Sequence, residues 1–168
     1  HMSKVIFEDT TFTYDGTEKR IEITGELPEG VTVDYENNNQ INSNEYEVIA
    51  KFTGDERNYN LIPDMNAKLI IKTLQGSIRI TNKEELSKIY DGTPVSDPIY
   101  DKNGDGDVII EYYEDNNLLE EAPINAGIYK VKVCLKDGRN YTGAIDEAEF
   151  EIKKATYEMS KAIFEDTT

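Results

Sequence analysis

The chain has 168 residues and a formal net charge of −16, from 34 acidic and 18 basic residues. That balance argues against nucleic acid as a partner, because phosphate binding is driven by clustered Lys and Arg, and equally against anionic membrane surfaces. Hydrophobic residues make up 38 %, enough for small cores, and no run approaches the ~20 apolar residues of a spanning helix, so no membrane insertion is expected in this segment.

His1 reads as a residue left from a removed tag. The run that follows, Met2 to Thr11, returns as Met159 to Thr168 at a constant offset of 157 residues, with Val5 against Ala162 as the one difference. A fixed long period is the mark of a repeat array. The tail at 157–168 therefore reads as the start of a third repeat domain. It carries Ile163 and Phe164 with nothing native to cover them, and is expected to be disordered or docked on another molecule.

Ile6 lies in an expected opening strand. Tyr14-Asp15-Gly16-Thr17 follows as a turn whose ring is expected to be buried. Ile21 and Ile23 have the spacing of a short strand. Val31, Val33 and Tyr35 share one face of the next, and Tyr46, Val48, Ala50 and Phe52 share one face of a longer one. Turn chemistry separates them at Leu27-Pro28-Glu29-Gly30 and Asn37-Asn38-Asn39. Asp55-Glu56-Arg57-Asn58-Tyr59 reads as a tight crossover in which Asp or Asn satisfies the backbone while the tyrosine packs on the core. Leu69 and Ile71 mark a final strand, and a boundary falls near Thr73 to Gly76.

The same series then runs again. Tyr90-Asp91-Gly92-Thr93 answers Tyr14 at an offset of 76, and Val108 to Tyr112 answers Val31 at 77. Tyr129-Lys130-Val131 answers Tyr46 at 83, Asp137-Gly138-Arg139-Asn140-Tyr141 answers Asp55 at 82, and Ala148 to Lys153 answers Ala67 at 81. The order is preserved, so one fold is copied twice. Most of the drift is a six-residue insertion between Tyr112 and Tyr129, which places a longer surface loop, Glu114 to Asn125, in the second copy. Ile78 and Ile80 supply this copy's opening strand. Asn82 to Lys88 has an Asn cap candidate and the makings of a short helical turn. The expectation is an all-β chain of two tandem small β domains, each an immunoglobulin-like sandwich or a β-grasp-like sheet, at 1–74 and 75–156.

Asp101-Lys102-Asn103-Gly104-Asp105-Gly106-Asp107 reads first as an acidic Asx/Gly turn. Its oxygen spacing also resembles the start of a calcium loop, which makes Asp101, Asn103, Asp105 and Asp107 a weak calcium site hypothesis, but Tyr112 stands where the twelfth-position Glu belongs. No other cofactor is suggested by the sequence. Cys134 alternates with Lys130, Lys132 and Lys136 and is expected on a polar face. As the one cysteine it forms no intramolecular disulfide, and as a nucleophile it lacks a partner, since the one histidine is His1. No catalytic residues emerge, and the chain is not expected to be an enzyme. Paired carboxylates are abundant, but among 34 acidic residues most must be solvated surface.

The Tyr-Asp-Gly-Thr openings, the strands ending at Tyr35 and Tyr112, Ala126-Gly127-Ile128-Tyr129 and the Ile152-Lys153-Lys154-Ala155 end resemble the MBG/YDG tandem repeats of bacterial cell-surface, adhesin-like proteins. The resemblance runs from about Val5 to Ala155. The first copy departs at Asn44-Glu45, where Ala-Gly belongs. The resemblance implies an extracellular location, secreted or anchored to the cell wall, and supplies no catalytic residues. Two functions follow as expectations. The first is a structural stalk or spacer whose partners are neighbouring repeats of the same protein. The second is an adhesive module for a host glycan or host protein, using the inserted loop and the Tyr112-Tyr113 edge. Eleven tyrosines and no tryptophan mildly disfavour a glycan-stacking platform.

Overall fold

In the computed structural model, which describes residues 4–166, the chain is all-β and forms two compact units. The first takes in the chain up to Gly76 together with 104–106 and 137–143. The second holds 77–103, 107–136 and the chain from Ala144 onward.

The first unit is built on a four-stranded sheet. Its strands are β1 (Thr10–Thr13), β2 (Thr32–Glu36), β3 (Asn44–Thr53) and β4 (Met65–Lys72), in the order β1-β4-β3-β2. β3 pairs antiparallel with both neighbours, while β1 runs parallel to β4, with Phe12 opposite Ile71. Alternation decides the faces: Val48, Ala50, Leu69 and Ile71 are buried, whereas Glu47, Lys51 and Lys68 point to water. Val48, Leu69 and Ile71 are among the most completely buried side chains, and each stabilises the fold by about 1.5–3 kcal/mol.

The strand expected at Ile21 and Ile23 does not form. Ile21 is buried, but its backbone is satisfied by side chains: Asn38 Oδ1 accepts from its N–H at 3.0 Å and Asn38 Nδ2 donates to its carbonyl at 2.7 Å. Ile23 N–H donates to the Tyr35 hydroxyl at 2.9 Å. The Asn side chain, 17 residues away in sequence, takes the place of a ladder partner. Nearby, Ile6 pairs with Thr24 as an isolated antiparallel bridge, so the expected opening strand is reduced to one contact. A two-residue parallel pairing, β5 (Leu74–Gln75) with β12 (Tyr141–Thr142), completes this unit.

The second unit repeats the frame. Its main strands are β7 (Lys88–Ile89), β9 (Val108–Glu114), β10 (Asn117–Leu118), β11 (Gly127–Leu135) and β13 (Ala144–Lys153), in the order β10-β9-β11-β13-β7. β7 again runs parallel to the last strand. A separate ribbon of β6 (Ser77–Ile80) and β8 (Tyr100–Asn103) packs over the sheet, and Ile78 and Ile80 share a core with Val131, Val133, Phe150 and Ile152. This layering is sandwich-type. The Tyr129 hydroxyl reaches back to the Asn125 carbonyl at 2.7 Å, the tyrosine corner of immunoglobulin-like sheets. The first unit has the same corner, from Tyr46 to Asn42 at 2.7 Å.

The inserted segment after Tyr112 begins as a hairpin. Asp115 and Asn116 take positive φ (51° and 65°), the tight two-residue turn that lets β9 and β10 pair as a hairpin. The helical turn after Asn82 is a single 3₁₀ turn, Lys83–Glu85, and Asn82 does not cap it. Its Oδ1 instead accepts from Ile99 N–H at 2.9 Å, a longer-range tie that outcompetes the cap.

Candidate functional site

Two equivalent turns carry the most developed side-chain chemistry. At the first, Asp15 Oδ1 accepts from Thr17 N–H at 2.9 Å and from the Thr17 hydroxyl at 2.6 Å, while Lys19 Nζ lies 2.7 Å from Oδ2. At the second, Asp91 Oδ1 accepts from Thr93 N–H at 3.0 Å and its hydroxyl at 2.7 Å, and Lys88 Nζ lies 2.8 Å away. Lys19 follows its aspartate in sequence, whereas Lys88 precedes its own. The lysine, and then the threonine, hold each carboxyl well below the usual carboxylate range. Gly16 and Gly92 adopt φ of 81° and 79°, a conformation that L side chains rarely adopt. The tyrosine N–H before each aspartate donates to the last strand at 2.8 Å: Tyr14 to Lys72 and Tyr90 to Lys153. These clasps tie β1 to β4 and β7 to β13.

The rings differ. Tyr14 is half-buried and meets Tyr141 edge-on, with centroids 5.5 Å apart. Tyr90 is 42 % exposed, so its ring is not buried as expected. The crossover tyrosines differ likewise. Tyr141 is half-buried, but Tyr59 is 74 % exposed and does not pack on a core as expected, and Leu61 beside it is also exposed. The first crossover is held by its own aspartate: Asp55 Oδ1 accepts from Arg57 and Asn58 N–H, and Asn58 Nδ2 donates to Oδ2 at 2.7 Å.

The segment Asp137–Gly143 makes a denser set of contacts within the first unit. Asn140, 8 % exposed, donates its N–H to Asp105 Oδ2 at 2.9 Å and accepts from Ser43 N–H at 2.8 Å on its Oδ1. Its Nδ2 donates to Asn42 Oδ1 at 3.1 Å, and its carbonyl accepts from Leu74 N–H at 2.9 Å. Sequence reasoning placed Asn140 in a turn and missed this role. The recurrence of the Asp-x-Arg-Asn-Tyr pattern was the one available signal.

The four residues of the calcium hypothesis are all exposed. Asp101 and Asn103 lie on β8, with Asp101 3.8 Å from Arg79, and Asp105 is engaged by Asn140. Among the described residues no three or more His, Cys, Asp or Glu gather into a set able to hold a metal ion. Cys134 is half-buried with its Sγ 3.7 Å from Glu111, and burial, then Glu111, push the thiol up, away from the reactive thiolate. Tyr112 is buried, and its hydroxyl donates to Asp97 at 2.7 Å. Tyr113 is half-buried, with Lys132 Nζ 4.9 Å over its ring.

Residues 80–156 match the family model of the MBG domain. This stretch, a little under half of the chain, is similar to the MBG domain. It spans the second unit's main strands and both the Tyr90 clasp and the Tyr129 corner. Among curated proteins, none matches the chain. Solved structures resemble the chain only loosely. Fibronectin(III)-like modules of Clostridium thermocellum CbhA are 11 % identical, with 98 % of this chain and 99 % of theirs covered and a TM-score of 0.33. A three-immunoglobulin-domain stretch of titin is 11 % identical, with 89 % and 66 % covered and a TM-score of 0.38. A SusE-like surface-located polysaccharide-binding protein from Bacteroides thetaiotaomicron is 12 % identical, with 87 % and 33 % covered and a TM-score of 0.30. Overlaps this loose carry no argument about fold or function. The clasp and corner shared by the two units stand on their own geometry. Among the described residues, no helix is long and apolar enough to cross a membrane.

Proposed function

We propose that the chain is a non-catalytic structural repeat unit, a spacer within an extracellular, adhesin-like bacterial surface protein, secreted or wall-anchored. The observation that carries the reading is the duplicated frame. The order β1-β4-β3-β2 answers β7-β13-β11-β9, with a parallel closing pair, an Asp–Thr–Lys clasp and a tyrosine corner in each. Such redundancy serves a mechanical element, in which every unit clasps its own last strand with a parallel partner. The repeat of Met2–Thr11 at Met159–Thr168 fits the same series. The MBG match supports the surface setting. A panel of glycans and host matrix proteins tests it: the spacer reading expects no saturable binding, and a ligand bound at micromolar affinity overturns it.

An adhesive module is the second reading, favoured by the Tyr113–Lys132 pair beside the Asp115–Asn116 hairpin. There a half-buried ring and a cation would meet a glycan or host protein. Shortening the Glu114–Asn125 loop would abolish such binding, and binding that survives the shortening would reject this surface.

A further inference from the structure

The first unit has an occupied surface whose counterpart in the second unit is open. The occupant is the Asp137–Gly143 segment. It seats Asn140 on Asn42 and Ser43, sets Tyr141 edge-on to Tyr14, and lays Tyr141–Thr142 parallel to Leu74–Gln75. Leu74 N–H donates to Asn140 and Gly76 N–H to Thr142, both at 2.9 Å. The duplication maps each receiving residue onto the second unit. Tyr14 corresponds to Tyr90, Asn42 and Ser43 to Asn125 and Ala126, Leu74 and Gln75 to Ala155 and Thr156, and Gly76 to Tyr157.

All of those residues but Asn125 line a concavity, with Lys154 beside them. Tyr90, Ala126, Lys154, Ala155, Thr156 and Tyr157 surround it, and nothing in the chain fills it. Among the described residues the N–H groups of Ala126, Ala155 and Tyr157 meet no acceptor, and all three residues are exposed. The occupant maps too. Asp137–Thr142 corresponds to Asp55–Asn60, which keeps Asp, Arg, Asn and Tyr in register and leaves Tyr59 exposed.

We propose that this concavity is the seat for the Asp55–Asn60 segment of a second copy of the repeat. The inference rests on the reading of the chain as a unit in a series. The Asn58 side chain takes the Ala126 N–H and donates to Asn125, Tyr59 meets Tyr90 edge-on, and the Asn58 and Asn60 carbonyls accept from Ala155 and Tyr157. The receiving asparagine is retained, as Asn42 in one copy and Asn125 in the other. Lys154 stands where the first unit has Thr73, a cation suited to the Asp55-Glu56 pair of the incoming segment. Asn58 Nδ2, now on Asp55, changes partner on docking. The contact joins unlike surfaces, so it propagates along a series instead of closing a pair. Linkage in one chain raises the effective concentration and makes a small contact sufficient.

Amide exchange followed by NMR tests this on the full chain and on a chain carrying two successive 157-residue repeats. In the doubled chain, Ala126, Ala155 and Tyr157 of the leading repeat should exchange at least about tenfold more slowly than in the single one. Asn58→Ala or Tyr59→Ala in the following repeat alone should remove that protection while leaving exchange in both cores unchanged. Both residues are exposed, so neither variant threatens folding. Asn140→Ala serves as the positive control, removing the side-chain acceptor of the Ser43 amide. Equal exchange of the three amides in single and doubled chains overturns the proposal while leaving the spacer reading standing. A ligand on the glycan or protein panel would remove the spacer reading and leave the protection intact.

Discussion

The Tyr129 hydroxyl donates to the backbone carbonyl of Asn125, four residues upstream, at 2.7 Å. It fixes the chain entering β11, the central strand of the second unit's sheet. Tyr46 and Asn42 repeat the bond at the same length. Tyr129→Phe should cost about 1 kcal/mol, within the net range of a single hydrogen bond. Tyr46→Phe should cost less, because Tyr46 is only half-buried and water can reach the freed carbonyl. Thermal or urea denaturation of the two variants checks the ranking.

The buried clusters of the two units share no residue. Leu69→Ala should destabilise the first unit and Ile152→Ala the second, each by about 2–5 kcal/mol from lost transfer energy and the cavity left behind. Hydrogen exchange resolved by residue should show the loss mainly in the unit that carries the substitution.

Acid should act through the clasps. Asp15 and Asp91 are both held below their ordinary value of 3.8. A depressed folded-state pKa gives stability that is complete above the unfolded value and lost as pH falls below it towards the folded value. Stability should therefore decline on acidification from about pH 4 downward. The double variant D15N and D91N should show a shallower decline over that range than the parent. Equal slopes in acid titrations followed by circular dichroism would contradict this.

Gly25 and Gly30 separate strain from crowding. Both have positive φ, 104° and 81°. A Cβ on Gly25 would collide with the Lys4 carbonyl, beside the Ile6–Thr24 bridge, whereas one on Gly30 would meet nothing within 4 Å. Gly30→Ala should cost about 1 kcal/mol from backbone strain alone, and Gly25→Ala clearly more. Denaturation midpoints decide between them.

Calcium at millimolar concentration, against chelator, should leave the melting temperature unchanged. Asp105 already accepts the Asn140 N–H, and Asp101 lies near Arg79. A rise of several degrees would instead establish a site at Asp101, Asn103, Asp105 and Asp107.

The sequence by itself determined the duplication, the β class and the buried face of each long strand. Val131, Val133 and Leu135, or Val48 and Ala50, alternate with polar neighbours, and a period of two survives any rearrangement of the sheet. It also located the Tyr-Asp-Gly turns, because a positive-φ glycine leaves a local mark. Tertiary structure alone decided the rest. β1 is rich in threonine and has one large apolar residue, so its parallel pairing with β4 depended on a partner about 60 residues away. Ile21 and Ile23 had the spacing of a strand, but Asn38 and Tyr35 supplied the partners that a ladder would have given. The same Asn-Tyr dipeptide is exposed at Tyr59 and half-buried at Tyr141, because burial depends on what the fold brings opposite a side chain, and no local pattern encodes that.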